Sequence, residues 1–147
     1  MGATEVTVAY LDTSALAKLY VQESGRERVE ALIQETGTVV TSVIAYPEAR
    51  AVFARRYSSG ELVEAEHREM VTQFQEDWLD INGIDVTPNV YRTAGELVVA
   101  HPRLRAMDAI HLASALEARK VEAIRFLTFD RDLENAARAL LSGAEVG

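Results

Sequence analysis

The stretch VTVAYL, residues 6 to 11, is uncharged and rich in β-branched side chains, and Asp12-Thr13-Ser14 follows it without a gap. An apolar run of that kind reads as a strand buried on both faces, which requires helices on both sides of its sheet. The Asp-Thr-Ser that follows supplies side-chain oxygens able to cap the first turn of a helix. The chain therefore opens as strand, turn, helix, the repeating unit of a parallel sheet.

The rest of the sequence repeats that alternation. A helix is expected over 13–21 and another through GRERVEALIQE, where Val29, Leu32 and Ile33 share a face, ending near Gly37. TVVTS, 38–42, reads as the second strand. Pro47 is tolerable only in the first turn of a helix, so that helix begins just before it and carries Glu48 near its start. Residues 61–81 lack Gly and Pro and place Leu62, Val63, Met70, Val71, Phe74, Trp78 and Ile81 at helical intervals, the longest helix expected. GIDVT is a short strand, Thr87 a helix cap before Pro88, and the helix from Asn89 ends before His101-Pro102. After the basic loop PRLR, the Ala- and Leu-rich AMDAIHLASALEARK is a helix with Asp108 in its first turn. AIRFLTF is a strand, DRDLENAARALL a helix, and AEVG a short edge strand. The expectation is one α/β domain over 1–147 with a mostly parallel sheet, right-handed crossovers and helices on both faces. In such sheets ligands bind beyond the carboxyl ends of the strands.

Composition narrows the function. Cysteine is absent, which removes disulfides, thiolate zinc sites and thiol nucleophiles and suits a reducing compartment. The first residues carry no basic segment leading into a long apolar run, and no apolar stretch approaches membrane-spanning length, so a cytoplasmic setting without membrane contact is expected. A net charge of −8, from 15 Lys plus Arg against 23 Asp plus Glu, argues against a chain-wide basic surface for nucleic acid. Arginine is nevertheless clustered at 26 and 28, at 50, 55 and 56, and at 103 and 105. Any one cluster is read first as a solvated helix face.

Four carboxylates fall on or near the ligand-binding edge: Asp12, Glu48, Asp108 and Asp130. Singly, each has a structural reading: Asp12 and Asp130 as helix caps, and Glu48 and Asp108 as first-turn acids facing the helix dipole. Jointly they would repel one another unless a cation shared the site. Oxygen-only ligands select Mg²⁺ or Mn²⁺, which polarise phosphates and activate water. Thr13, Ser14 and Thr128 stand beside them as small hydroxyls suited to orienting water or a carboxylate.

LDTSAL, TSVIAYPEA, AMDAIHLASAL and FLTFDRDL, in that order and across nearly the whole chain, resemble the PIN-domain ribonucleases and most of all the VapC toxins of type II toxin–antitoxin pairs. The resemblance implies a three-layer α/β/α sandwich around a parallel sheet and Mg²⁺- or Mn²⁺-dependent endonucleolytic cleavage of RNA. It matches Asp12, Glu48, Asp108 and Asp130 to the family's four acids, with Asp12 and Asp108 on the principal metal and Glu48 and Asp130 acting through water or a second ion. Activated water would then leave 5′-phosphate and 3′-hydroxyl ends. Where family members often carry Asn two residues after the first Asp, this chain has Ser14, still a hydrogen-bond donor. The family also implies a cognate VapB-like antitoxin, whose basic DNA-binding part suits an acidic toxin, and a homodimer.

Other residues have competing readings. Arg103 and Arg105 before Asp108, or Arg50, Arg55 and Arg56 after Glu48, are positive flanks for RNA. His111 is read as a packing residue rather than a base, and Trp78 as core or dimer contact rather than a stacking platform; Asp132 is read as complementing the helix dipole, with a water-mediated place at the metal as its alternative. A receiver-type signalling domain would need paired acids after the first strand and a Lys after the last, and a haloacid-dehalogenase-type phosphatase would need Asp-x-Asp; neither pattern is present. A PIN-like RNA- or protein-binding module without catalysis is the non-enzymatic alternative.

Overall fold

The computed structural model describes residues 7–141. The first expected strand forms as β1 (Thr7–Leu11), followed by α1 (Thr13–Ala17), α2 (Arg26–Thr36), β2 (Val39–Ser42), α3 (Ala45–Ser58), α4 (Glu64–Trp78), β3 (Asn82–Ile84), α5 (Pro88–Ala100), α6 (Ala106–Ala118), β4 (Ala123–Leu127) and α7 (Arg131–Leu140). The sheet has the order β3-β2-β1-β4 with every neighbour parallel. The AEVG strand expected at the carboxyl end lies outside the described residues.

Alternation along β1 sorts its side chains into two cores. Val8 and Tyr10 pack with Val40, Ile124 and Phe126 against α5, α6 and α7, while Ala9 and Leu11 pack with Leu127 against α1, α2, α3 and α4. Both faces of the sheet are thus covered, which gives the α/β/α sandwich and explains the absence of charge in β1. Phe74 of α4 is the hub of the second core, with Tyr20, Tyr46, Phe53 and Trp78 around it at ring-centroid distances of 5.3–5.7 Å. Trp78 is therefore a core residue. No helix among the described residues is long and apolar enough to cross a membrane.

Three elements differ most from their expected bounds, each for a local reason. After Ala17 the chain tightens into i→i−3 bonds at Lys18, Leu19 and Tyr20, which end α1 early and turn Tyr20 toward Phe53, Phe74 and the Asp77 carboxylate. Helix α4 starts three residues later than expected because Glu61 pairs with Arg56 and Glu66 instead accepts the Val63 backbone N–H. Strand β3 is short because β2 leaves the sheet at Val43 to enter α3, so Ile84 closes the ladder and Thr87 already caps α5.

The register decides what meets at the functional edge. Leu11 pairs with Leu127, so Asp12 and Thr128 emerge side by side, and Ser42 ends the neighbouring strand.

Candidate active site

Asp12 is the fixed point of the edge. Only 3% of it is exposed, and its Oδ1 accepts the Ala15 N–H at 3.0 Å and the Ser14 hydroxyl at 2.7 Å. Thr128 donates to Oδ2 at 2.6 Å, and the same threonine oxygen accepts the Asp130 N–H at 3.0 Å. Asp12 therefore does cap α1, and it is also tied across the sheet to the start of α7. Burial pushes its carboxyl above the usual range, opposed by the pull of His111 and by the hydrogen bonds from Thr128, Ser14 and Ala15.

Asp130 caps α7 through Oδ1, which accepts the Leu133 N–H at 2.9 Å, and Asp108, third residue of α6, holds the Arg105 N–H on Oδ2 at 3.4 Å. The cap expected of Asp130 and the first-turn place expected of Asp108 are thus realised in geometry, yet Oδ2 of Asp130 and Oδ1 of Asp108 have no partner among the described residues. Burial, then the charge of Asp130 and, more weakly, that of Asp12 raise the Asp108 carboxyl, against the Arg105 N–H and His111. The three aspartates are therefore electrostatic neighbours. Among the described residues no Lys or Arg is ion-paired with Asp12, Asp108 or Asp130.

Glu48 joins the group by a different route. The Thr13 hydroxyl donates to its Oε1 at 2.6 Å, and His111 Nε2 stands 3.0 Å from the same oxygen. Burial alone would raise this carboxyl, but the bonds from His111 and Thr13 and the attraction of His111 outweigh it and leave it below the usual range. His111 is 2% exposed, with Nδ1 2.8 Å from the Tyr10 hydroxyl. Burial, reinforced by Asp12, holds Tyr10 well above its ordinary value, so its hydroxyl stays protonated where it meets Nδ1. Nε2 faces the Glu48 carboxylate and the Thr13 oxygen, and both can only accept, so Nε2 carries a ring proton. Thr13 spends its own proton on Glu48, so this N–H is shared between Glu48 and Thr13, whose oxygen lies at 3.1 Å.

His111 is thus a packing residue that also fixes a carboxylate. Sequence reading missed that second role and the part of Tyr10 altogether. Two signals carried them: His111 lies one helical turn after Asp108, and Tyr10 is a polar-tipped residue in an otherwise apolar strand.

The remaining candidates separate. Ser14 and Thr128 hold Asp12 directly, and Ser14 Oγ also accepts the Phe129 N–H at 2.9 Å. Asp132 lies in the first turn of α7 and pairs at 3.7 Å with Arg103, while Arg105 precedes α6 and is exposed. Arg56 is neutralised by Glu23 and Glu61, and Arg50 lies on Tyr46. His67 stacks on Tyr57, away from the edge.

The donor set suits a hard divalent cation. It offers only carboxylate oxygens, with free lone pairs on Glu48, Asp108 and Asp130 and repulsion among the aspartates that, among the described residues, no Lys or Arg ion pair relieves. Among the described residues no three His, Asp or Glu side chains are grouped as a set that could hold a metal ion by themselves, so an ion at this edge would have to keep several waters.

The PIN domain family profile matches residues 9–139. Ribonuclease VapC45 of Mycobacterium tuberculosis is 36% identical over 109 residues, covering 74% of this chain and 75% of the relative. Among solved structures, Mycobacterium tuberculosis VapC20, described as a sarcin-ricin loop cleaving toxin, superposes with a TM-score of 0.62 at 20% identity over 87% of this chain and 94% of the other. A toxin-antitoxin complex from Klebsiella pneumoniae gives 0.63 at 20% identity, covering 95% of each chain. At those identities the two structures speak for the fold.

Proposed function

This chain belongs to the PIN domain family and, within it, to the VapC ribonucleases of toxin–antitoxin systems, and from that premise we propose that it hydrolyses RNA internally with Mg²⁺ or Mn²⁺ held by Asp12, Asp108, Glu48 and Asp130. The observation that carries this reading is the convergence of Asp12, Asp108 and Asp130 on one strand edge, where burial and then the charges of Asp130 and Asp12 raise the Asp108 carboxyl and no Lys or Arg pairs with them among the described residues. When bound, the ion would neutralise that charge, polarise a phosphate oxygen and lower the pKa of water.

The chain's own residues supply geometry. Asp12 is clamped by three donors that all favour its ionised form. Asp108 and Asp130 each spend one oxygen on a backbone N–H and keep the other. Glu48, held ionised by Thr13 and His111, keeps Oε2 to accept a hydrogen bond from the attacking water. In the reaction the water oxygen bonds to phosphorus, the P–O3′ bond breaks, and the 3′ oxygen leaves with a proton. The products are 5′-phosphate and 3′-hydroxyl ends. Arg103 and Arg105 serve as a positive flank beside Asp108.

The partner proposed is a VapB-like antitoxin that covers the acidic edge, with a homodimer as the toxin's own assembly and the cytoplasm as its place. End mapping of total RNA tests the activity: cleavage with Mg²⁺ or Mn²⁺ and background in EDTA are expected. Well-folded, antitoxin-free protein inactive with either ion would instead favour the binding-module reading. Binding has its own readout. At a Mn²⁺ concentration a hundredfold above its Kd, the unfolding free energy rises by about 2.7 kcal/mol, and an unchanged melting temperature would count against these ligands.

A further inference from the structure

A cleft of about 330 Å³ opens between α2 and the start of α7, lined by Arg28, Leu127, Thr128, Phe129, Arg131 and Glu134. Resting on the ribonuclease reading above, we propose that this cleft is where single-stranded RNA lies as it approaches the carboxylates, with Arg28 and Arg131 on its phosphates and Phe129 under a base.

Charge makes the first case. With acid in such surplus, several arginines elsewhere are neutralised: Arg26 by Glu30, Arg68 by Glu64, Arg125 by Glu35 and Arg138 by Glu134. Arg28 and Arg131 are both exposed, and among the described residues neither has an ion pair or a hydrogen bond. Two unpaired guanidinium groups converge on one cleft, and the acid in its lining, Glu134, is taken up by Arg138 at 2.8 Å. The result is a locally positive surface on a chain of net charge −8.

The second case is the ring between them. Phe129 is 40% exposed yet held in place, with Lys18 Nζ 4.9 Å from its centroid. Gly25, at φ +106°, comes so close that a Cβ there would stand 2.7 Å from Phe129 Cε1. A fixed, partly open aromatic beside free arginines is the pairing that single-stranded nucleic acids use, stacking for bases and guanidinium for phosphates. An acidic peptide would need only the arginines. The third case is position: Thr128 lines the cleft and also donates to Asp12, so RNA in the cleft lies one residue from the carboxylates.

The test is fluorescence anisotropy with a labelled single-stranded RNA of about a dozen nucleotides, in an Asp12→Asn background with Mg²⁺ so that the probe survives. Arg28→Gln with Arg131→Gln should raise Kd at least about tenfold and reduce the slope of log Kd against log salt by about 1.4, the share of two single-strand phosphates. Phe129→Leu should raise Kd about tenfold and leave the slope alone, and Arg92→Gln on α5 serves as an unaffected control. In the cleaving protein the arginine loss should fall on KM. Both arginines are exposed and unpaired, so the double variant should melt as the parent does. An unchanged Kd and slope, with wild-type protein cleaving RNA, would overturn this inference alone. Wild-type protein that neither binds nor cleaves RNA would overturn the ribonuclease reading with it. Displacement of the probe by poly-glutamate as effectively as by unlabelled RNA of equal charge would mark a general anion or acidic-peptide site and overturn the RNA assignment.

Discussion

Asp12→Asn is expected to lower RNA cleavage by at least about a thousandfold, roughly 4 kcal/mol of transition-state stabilisation, while the fold survives. The amide oxygen can keep the bonds from Ala15 and Ser14. On the other side the amide N–H donates to Thr128 Oγ1, and the threonine turns its own proton toward Ser14 Oγ at 3.4 Å. The bonds that hold residue 12 in place are thus kept. What disappears is a buried negative charge, and the pH dependence follows from its sign. The Asp12 carboxyl is raised in the folded state, so its contribution to stability is fully present below the ordinary carboxylate pKa of about 3.9 and is lost as pH rises through the folded value. Asp108 acts in the same sense. Glu48, lowered, acts in the opposite one: its contribution is present above its unfolded pKa and is lost as pH falls through the folded value. In EDTA at neutral pH the Asn variant should therefore melt higher than wild type and show a flatter pH profile; Mn²⁺ should close that gap. Metal-dependent cleavage at wild-type rate in the variant would remove Asp12 from the site, and a variant melting well below wild type in EDTA would contradict the charge argument.

The second large effect is at His111. Truncation to Ala empties a buried site and strands the Tyr10 hydroxyl and one side of Glu48, with an expected cost on the order of 3 kcal/mol measured by urea unfolding. Stability loss alone would not show that His111 positions Glu48, so two conservative variants divide the role. The Gln side chain reaches the Nε2 position and can still donate to Glu48; Asn reaches the Nδ1 position and can only meet Tyr10. Cleavage should be better preserved in His111→Gln than in His111→Asn even where their melting temperatures agree. Equal cleavage in both would reduce His111 to packing.

The sandwich was legible because the relevant signals are local. An uncharged β1, Pro47 confined to a first turn, Thr87 before Pro88 and an Ala-rich α6 each state an element through short-range sterics and capping. The short β3 and α1 were not, since β2 departing at Val43 and Tyr20 turning into the aromatic core are long-range events. The same division holds at the edge. Asp12, Glu48, Asp108 and Asp130 stand out by residue type and by their places at element ends. Their supports do not, because Thr128 on Asp12, and Tyr10 and His111 behind Glu48, are pairs separated by 116, 101 and 63 residues.

By itself, then, the sequence determined the alternation of strands and helices, the four acids and the family to which they belong, all properties of residue type and order. Only the tertiary structure decided that Leu11 meets Leu127, so that Asp12 and Thr128 share an edge, and that Arg28 and Arg131 converge on one cleft while Arg103 is drawn to Asp132. Strand register and the choice of ion partners depend on distances between segments remote in sequence, and those are fixed only when both faces of the sheet are packed.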